Sequence, residues 1–158
     1  MDAAETNPAW HIKIPPPIWT IAMLLAAYGL QRGFSWGAVV YARSPAAAVL
    51  LGIAGVGLAF WGQQIFAAAG TEIMPASASN KALVVRGPFR FTRNPMYLGL
   101  ILASLGIALY AGTIPFLFVP VLVFLLCNFA FVPFEEAKMQ RQFGTQYTDY
   151  TQRIRRWI

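Results

Sequence analysis

Apolar residues in this chain come in long blocks separated by short polar stretches, without the strict alternation of strands. Ile14–Leu30 is closed by Gln31 and Arg32, Ala46–Ala69 follows Arg43-Ser44-Pro45, and Pro95–Ala111 and Ile114–Phe134 are separated by Gly112-Thr113 alone. Each block is close to the roughly 17–25 helical residues that span the hydrocarbon of a bilayer. A lone segment can satisfy its own backbone there only as a helix. The pattern therefore predicts an all-α integral membrane protein with about four transmembrane helices, the last two forming a hairpin. Pro15-Pro16-Pro17 fixes the earliest start of the first helix, and Pro120 and Pro133 should bend the fourth.

Within the blocks, small residues recur every fourth position: Ala48 with Gly52 and Gly55 with Ala59 in the second, Gly99 with Ala103 in the third. That spacing puts them on one face and lets helices approach closely in lipid. Gln63 and Gln64 are the strongly polar members of the second block, suited to an interhelical hydrogen bond or a ligand. Residues 1–13 read as loose or interfacial, Phe34–Tyr41 as an interfacial connection, and 70–94 as a long cytosolic loop ordered near Leu83-Val84-Val85 and Gly87-Pro88. After Pro133, Met139, Phe143, Tyr147, Tyr150, Ile154 and Trp157 recur at three and four, predicting an amphipathic interfacial helix over 135–157. Arg153, Arg155 and Arg156 should then face headgroups, with Gly144 a point of bending.

Composition agrees: 58% of the 158 residues are hydrophobic and 11% charged, in a chain the length of one domain, 1–158. Asp2 and Glu5 argue against a removable signal peptide. The net charge of +6 falls mostly in two clusters beside apolar blocks, which points to membrane lipids and topology and away from nucleic acid. Four spans place Lys13, Lys81, Arg86, Arg90, Arg93, Lys138, Arg141 and the arginines at 153, 155 and 156 on one side, and Arg32 and Arg43 on the other. The positive-inside rule makes the first side, with both termini, cytoplasmic; the expected location is a prokaryotic inner membrane, with the oligomeric state left open. Cys127 stands alone in an apolar run and reads as a small core residue.

Candidate chemistry gathers at two places. Asn94-Pro95 is a helix start in which Asn can cap free N–H groups, and with Arg90 and Arg93 beside it this end suits an anion or carboxylate, or else anchors to lipid phosphate. Glu135-Glu136, at the exit of an apolar helix, either starts the last helix and pairs with an arginine such as Arg141, or holds a cationic ligand. No cluster has metal-ligand spacing and no Ser-His-acid or Cys-His set is present; His11 reads as interfacial.

Taken together, Leu83-Val84, Gly87-Pro88-Phe89-Arg90, Arg93-Asn94-Pro95-Met96-Tyr97-Leu98-Gly99, Glu135-Glu136, Phe143-Gly144, Tyr147, Tyr150 and the Arg153–Ile158 tail resemble the isoprenylcysteine carboxyl methyltransferase and phospholipid methyltransferase superfamily over about residues 66–158. The resemblance implies a membrane methyltransferase using S-adenosylmethionine, with cofactor contacts at Leu83, Val84, Gly87, Asn94, Pro95, Tyr97, Gly99, Glu135 and Glu136, and Arg93 suited to the cofactor's carboxylate. Phe89, Tyr97 or Phe134 would wall the adenine. As the resemblance runs, the family's carboxyl methyltransferases commonly carry Arg-His-Pro where this chain has Arg93-Asn94-Pro95, and Asn-Pro occurs there in the phospholipid-methylating branch and many bacterial relatives. A lipophilic carboxylate would be held by Arg90 or Arg153, whereas an amine needs a base, for which Glu135, Glu136 and Tyr97 are the candidates; a thiol stays open. The other readings are an NADPH-dependent membrane reductase of related architecture and a non-enzymatic protein that binds anionic lipid.

Overall fold

A computed structural model describes residues 10–34, 43–70 and 82–158. The expected loose segment 1–9, the connection 35–41 and residues 71–81 of the polar loop lie outside the described residues. Helix α1 is Pro16–Gly33, α2 Pro45–Ala68 and α3 Pro95–Ala111. Helix α4 runs without interruption from Ile114 to Phe143, and a short α5, Thr145–Arg153, follows. Prolines at the first turns of α1, α2 and α3 set φ where no intrahelical donor is needed.

Among the described residues the fold is helical, and two helices, α2 and α4, are long and apolar enough to cross a membrane; α3 is a shorter apolar helix of 17 residues. Only 17% of the most apolar stretch of α2 is buried inside the protein. Val49, Leu50, Ile53, Val56 and Phe60 all project outward from it. A helix that shows so much hydrocarbon to its surroundings is built for lipid and not for the core of a soluble domain.

α2 packs on α3 through the small residues whose spacing marked them in the sequence, together with Gly106, which that spacing had not marked. A Cβ added at Gly55 would lie 2.5 Å from the backbone of Gly99 and Ala103, and one at Gly106 would lie 2.7 Å from the carbonyl of Ala48; at Gly99 it would strike the carbonyl of Gly55. The backbones touch, so hydrogen at these positions is a geometric requirement. On its other side α3 meets α4, which also contacts α1, around a core of Ala27, Ala108, Val119, Val123, Cys127 and Phe131. Cys127 is fully buried in this core, in line with its expected role.

The expected division of the last third into a span ending at Phe134 and a separate helix over 135–157 needs correction. Pro120 lies inside α4 without ending it, and Cys127–Phe131 forms a π-helical turn in which the Val132 N–H donates to the Cys127 carbonyl, five residues back. A wide turn just ahead of Pro133 accommodates a residue that cannot donate and whose ring crowds the preceding turn, so the helix continues into the polar sequence. It stops at Gly144, whose φ of +52° and ψ of −123° suit glycine. After α5 the chain extends from Ile154 as a tail. The Met139–Trp157 stripe is thus divided among α4, α5 and the tail.

Candidate functional site

Where α3 begins and α4 leaves its apolar stretch, four pieces of chain meet: the loop before α3, the polar end of α4, α5 and the tail. The loop carries a 3-10 turn, Gly87–Arg90, that buries Pro88 and Phe89. The tail is stitched to this loop. The Arg93 N–H donates to the Arg155 carbonyl at 3.0 Å, and the Arg156 carbonyl accepts from Thr92 Oγ1 at 3.1 Å and Asn94 Nδ2 at 2.9 Å. Asn94 makes no side-chain cap for α3, contrary to expectation. A carbonyl from 62 residues later claims its amide, and Thr92 Oγ1 receives its backbone N–H at 3.2 Å.

The same tail reaches α4. Trp157 Nε1 donates to Asn128 Oδ1 at 3.0 Å, and its ring lies 5.2 Å from that of Phe124. Arg156 does not face headgroups as expected: its Nε and Nη2 grip Glu136 at 3.1 and 2.5 Å, a two-point pairing that fits a planar guanidinium to a carboxylate. That hydrogen bond raises the affinity of Arg156 for its proton. Arg93 Nη1 adds a second cation, 3.0 Å from Glu136 Oε1.

The adjacent carboxylate has a different setting. Glu135 Oε1 accepts a hydrogen bond of 2.7 Å from the hydroxyl of Tyr97, in the first turn of α3, and the ammonium of Lys138, one turn further along α4, acts on it electrostatically. Glu135 is hydrogen-bonded by a neutral hydroxyl with one ammonium near it, whereas two guanidinium groups pair directly with Glu136.

Both glutamates line one cavity. Of the expected site residues, Leu83, Val84, Arg93, Asn94, Pro95 and Tyr97 line it with them. Gly87, Gly99, Arg90 and Arg153 do not: Gly99 is a contact of the α2–α3 seam, Gly87 (φ +61°) sits where a Cβ would meet Ile65, and the two arginines are exposed. Further walls come from Phe66, its ring tilted against that of Phe89 with centroids 5.0 Å apart, and from Met96, Met139, Tyr147 and Tyr150, while Phe134 packs against the apolar core. Met139, Tyr147 and Tyr150 thus face the cavity, although their spacing alone assigns them to a surface stripe. Burial pushes the phenols of Tyr147 and Tyr150 above their ordinary range, so both stay protonated; Tyr150 donates to the Phe89 carbonyl at 2.8 Å. Arg93 Nε is buried and, among the described residues, has no hydrogen-bond partner.

The sequence pattern did not single out Asn128 although a signal was present, since an amide within Ile114–Phe134 is expensive in hydrocarbon and needs a partner. Thr92 carried no such signal, and Trp157 was marked only as part of the apolar stripe, because their partners lie far away in the chain.

The residues present fit an adenosyl amino acid: aromatic rings for a base, a carboxylate held by a hydroxyl for an ammonium or sulfonium, and a cavity-lining guanidinium for a carboxylate. The family model for phospholipid methyltransferase matches residues 33–146, from the end of α1 past α4. No curated protein and no solved structure matches the chain. The match covers well over half of the sequence and bears out the resemblance, so the chain belongs to the phospholipid methyltransferase family.

Proposed function

We propose that the chain is an S-adenosylmethionine-dependent methyltransferase acting on a lipophilic carboxylate, amine or thiol, set in a prokaryotic inner membrane by four spans with both termini cytoplasmic. The observation that carries this reading is the cavity between the start of α3 and the polar end of α4, where Glu135, held by Tyr97, shares a space with the guanidinium of Arg93 and paired aromatic rings.

Bound S-adenosylmethionine supplies a methyl group made electrophilic by its sulfonium. Glu135 offers negative charge to the cationic part of such a ligand, and Arg93, with the second hydrogen of the Asn94 amide, offers donors to its carboxylate. Leu83, Val84 and the Phe66–Phe89 pair exclude water and supply flat apolar surface for its base. Gly87 and Gly99 support the site from outside its lining, through the turn before α3 and the helix seam. A carboxylate or thiolate acceptor attacks without a base, so positioning and a dry cavity suffice. Arg90 and Arg153, exposed and outside the lining, are proposed as anchors for an anionic acceptor.

Two measurements test this. The detergent-solubilised chain should be stabilised against heat by S-adenosylmethionine or S-adenosylhomocysteine, because a ligand that binds the folded state alone raises apparent stability. Stabilisation by NADPH alone would select the reductase; no response to any of these ligands would favour a lipid-binding protein. Methyl-labelled cofactor incubated with a total lipid extract should then yield a labelled lipid, which identifies the acceptor.

A further inference from the structure

The two neighbouring glutamates are equal in sequence and unequal in structure. Both oxygens of Glu136 are engaged: Oε1 accepts from Arg93 Nη1 and Arg156 Nε, and Oε2 from Arg156 Nη2. A ligand ammonium seeking Glu136 would have to displace a two-point guanidinium pair. It would also disturb Arg156, whose carbonyl holds Thr92 and Asn94 on either side of Arg93. Charge counting agrees: one carboxylate against two guanidinium groups leaves a positive excess at Arg93, whose side chain is only 15% exposed, lines the cavity and keeps its Nε without a partner among the described residues. Glu135, one residue away, supplies the matching negative charge.

Resting on the functional reading above, we infer that Glu136 and Arg156 are positioning residues that never touch the ligand. They fix Arg93 so that its guanidinium receives the carboxylate of the ligand's amino-acid end, while Glu135 alone receives the ammonium. The adjacent acidic pair is thus one ligand group and one structural counter-ion, and the C-terminal tail is part of the carboxylate subsite.

The test uses the full-length chain in detergent or nanodiscs and three probes: S-adenosylhomocysteine, its analogue lacking the carboxylate, and its analogue lacking the amino group. The wild-type chain should bind the first roughly tenfold or more tighter than the second, as expected for a hydrogen bond between charged groups. Arg93→Gln should abolish that preference. Glu136→Gln should weaken S-adenosylhomocysteine several-fold and leave the decarboxylated analogue unchanged, since its effect passes through the carboxylate. Arg156→Lys, which keeps the charge and loses the fork, should shift the same preference by less and serves if Glu136→Gln fails to fold. A Glu136 penalty that persists for the decarboxylated analogue and vanishes for the deaminated one would make Glu136 a direct ammonium partner and overturn the inference alone. An equal penalty on all three probes would also overturn it, as the mark of general disorder. Failure of the wild-type chain to bind any probe would overturn the functional reading and this inference with it.

Discussion

The seam between α2 and α3 and the junction that gathers the loop, α4 and the tail hold the same helix, α3, by opposite means. The seam is made of absent side chains: Gly55, Gly99 and Gly106 let backbone meet backbone with no charged group involved. The junction is made of committed polar groups, with Arg156, Asn94, Thr92, Asn128 and Trp157 pairing between segments far apart in the chain. In lipid the hydrophobic effect does not press helices together, so close packing must do so. Where the chain emerges into polar surroundings, directional bonds carry the specificity. The difference teaches that the seam can be wrong in only one way, by bulk, whereas the junction can be altered group by group.

The largest effect should therefore come from bulk at the seam. Gly99→Leu should destabilise the fold by on the order of 3 kcal/mol, since neither backbone can yield to the new side chain; thermal unfolding of the solubilised protein and its yield in membranes measure this. A near-normal melting temperature would mean that the helices are not in backbone contact. At the junction, Glu135→Gln should weaken S-adenosylhomocysteine by about ten- to a hundredfold, the range for a charged hydrogen bond, with the melting temperature little changed. Titration calorimetry reads the first and thermal unfolding the second, and unchanged affinity would remove Glu135 from the site.

Asn128→Leu should cost about 1–2 kcal/mol by stripping Trp157 and Arg156 of an acceptor. It should also speed hydrogen exchange at the Arg93 amide, which donates to the tail; protection there equal to wild type would show that the tail holds without Asn128. The smallest effect belongs to the outer face of α2. Leu50 is 68% exposed. Leu50→Ala should change stability by less than about 0.5 kcal/mol, because lipid chains fill the space that the larger side chain leaves. A large effect would place a protein partner on that face.

The seam was legible in the sequence and the junction was not. Ala48, Gly52, Gly55 and Ala59, with Gly99 and Ala103, mark a helix face by spacing alone, a local property that each helix carries by itself. Asn94 before Pro95 is just as local a signal for a cap, yet the structure gives its amide to the Arg156 carbonyl, because no propensity within one turn can anticipate a segment arriving from the other end of the chain. The same reason hid the pairing of Arg156 with Glu136. The helical class, the gathering of Glu135-Glu136 with Arg93, Asn94 and Tyr97, and the break at Gly144 were readable. The continuation of the apolar stretch of α4 into its polar end was not, since the composition changes after Pro133 and a π-helical turn leaves no mark in sequence.

That turn has a consequence for how α4 can vary. A helix advances about 100° per residue, so one residue more or less in a turn rotates everything beyond it by that angle. The wide turn at Cys127–Phe131 therefore sets the phase between the half of α4 that packs in the apolar core and the half that carries Glu135. Deleting a single residue there would leave the first half in place and swing the carboxylates a quarter-turn or more around the helix, away from Tyr97 and Arg93. The register of this one turn works as an alignment key, joining a lipid-adapted shaft to a chemically active head.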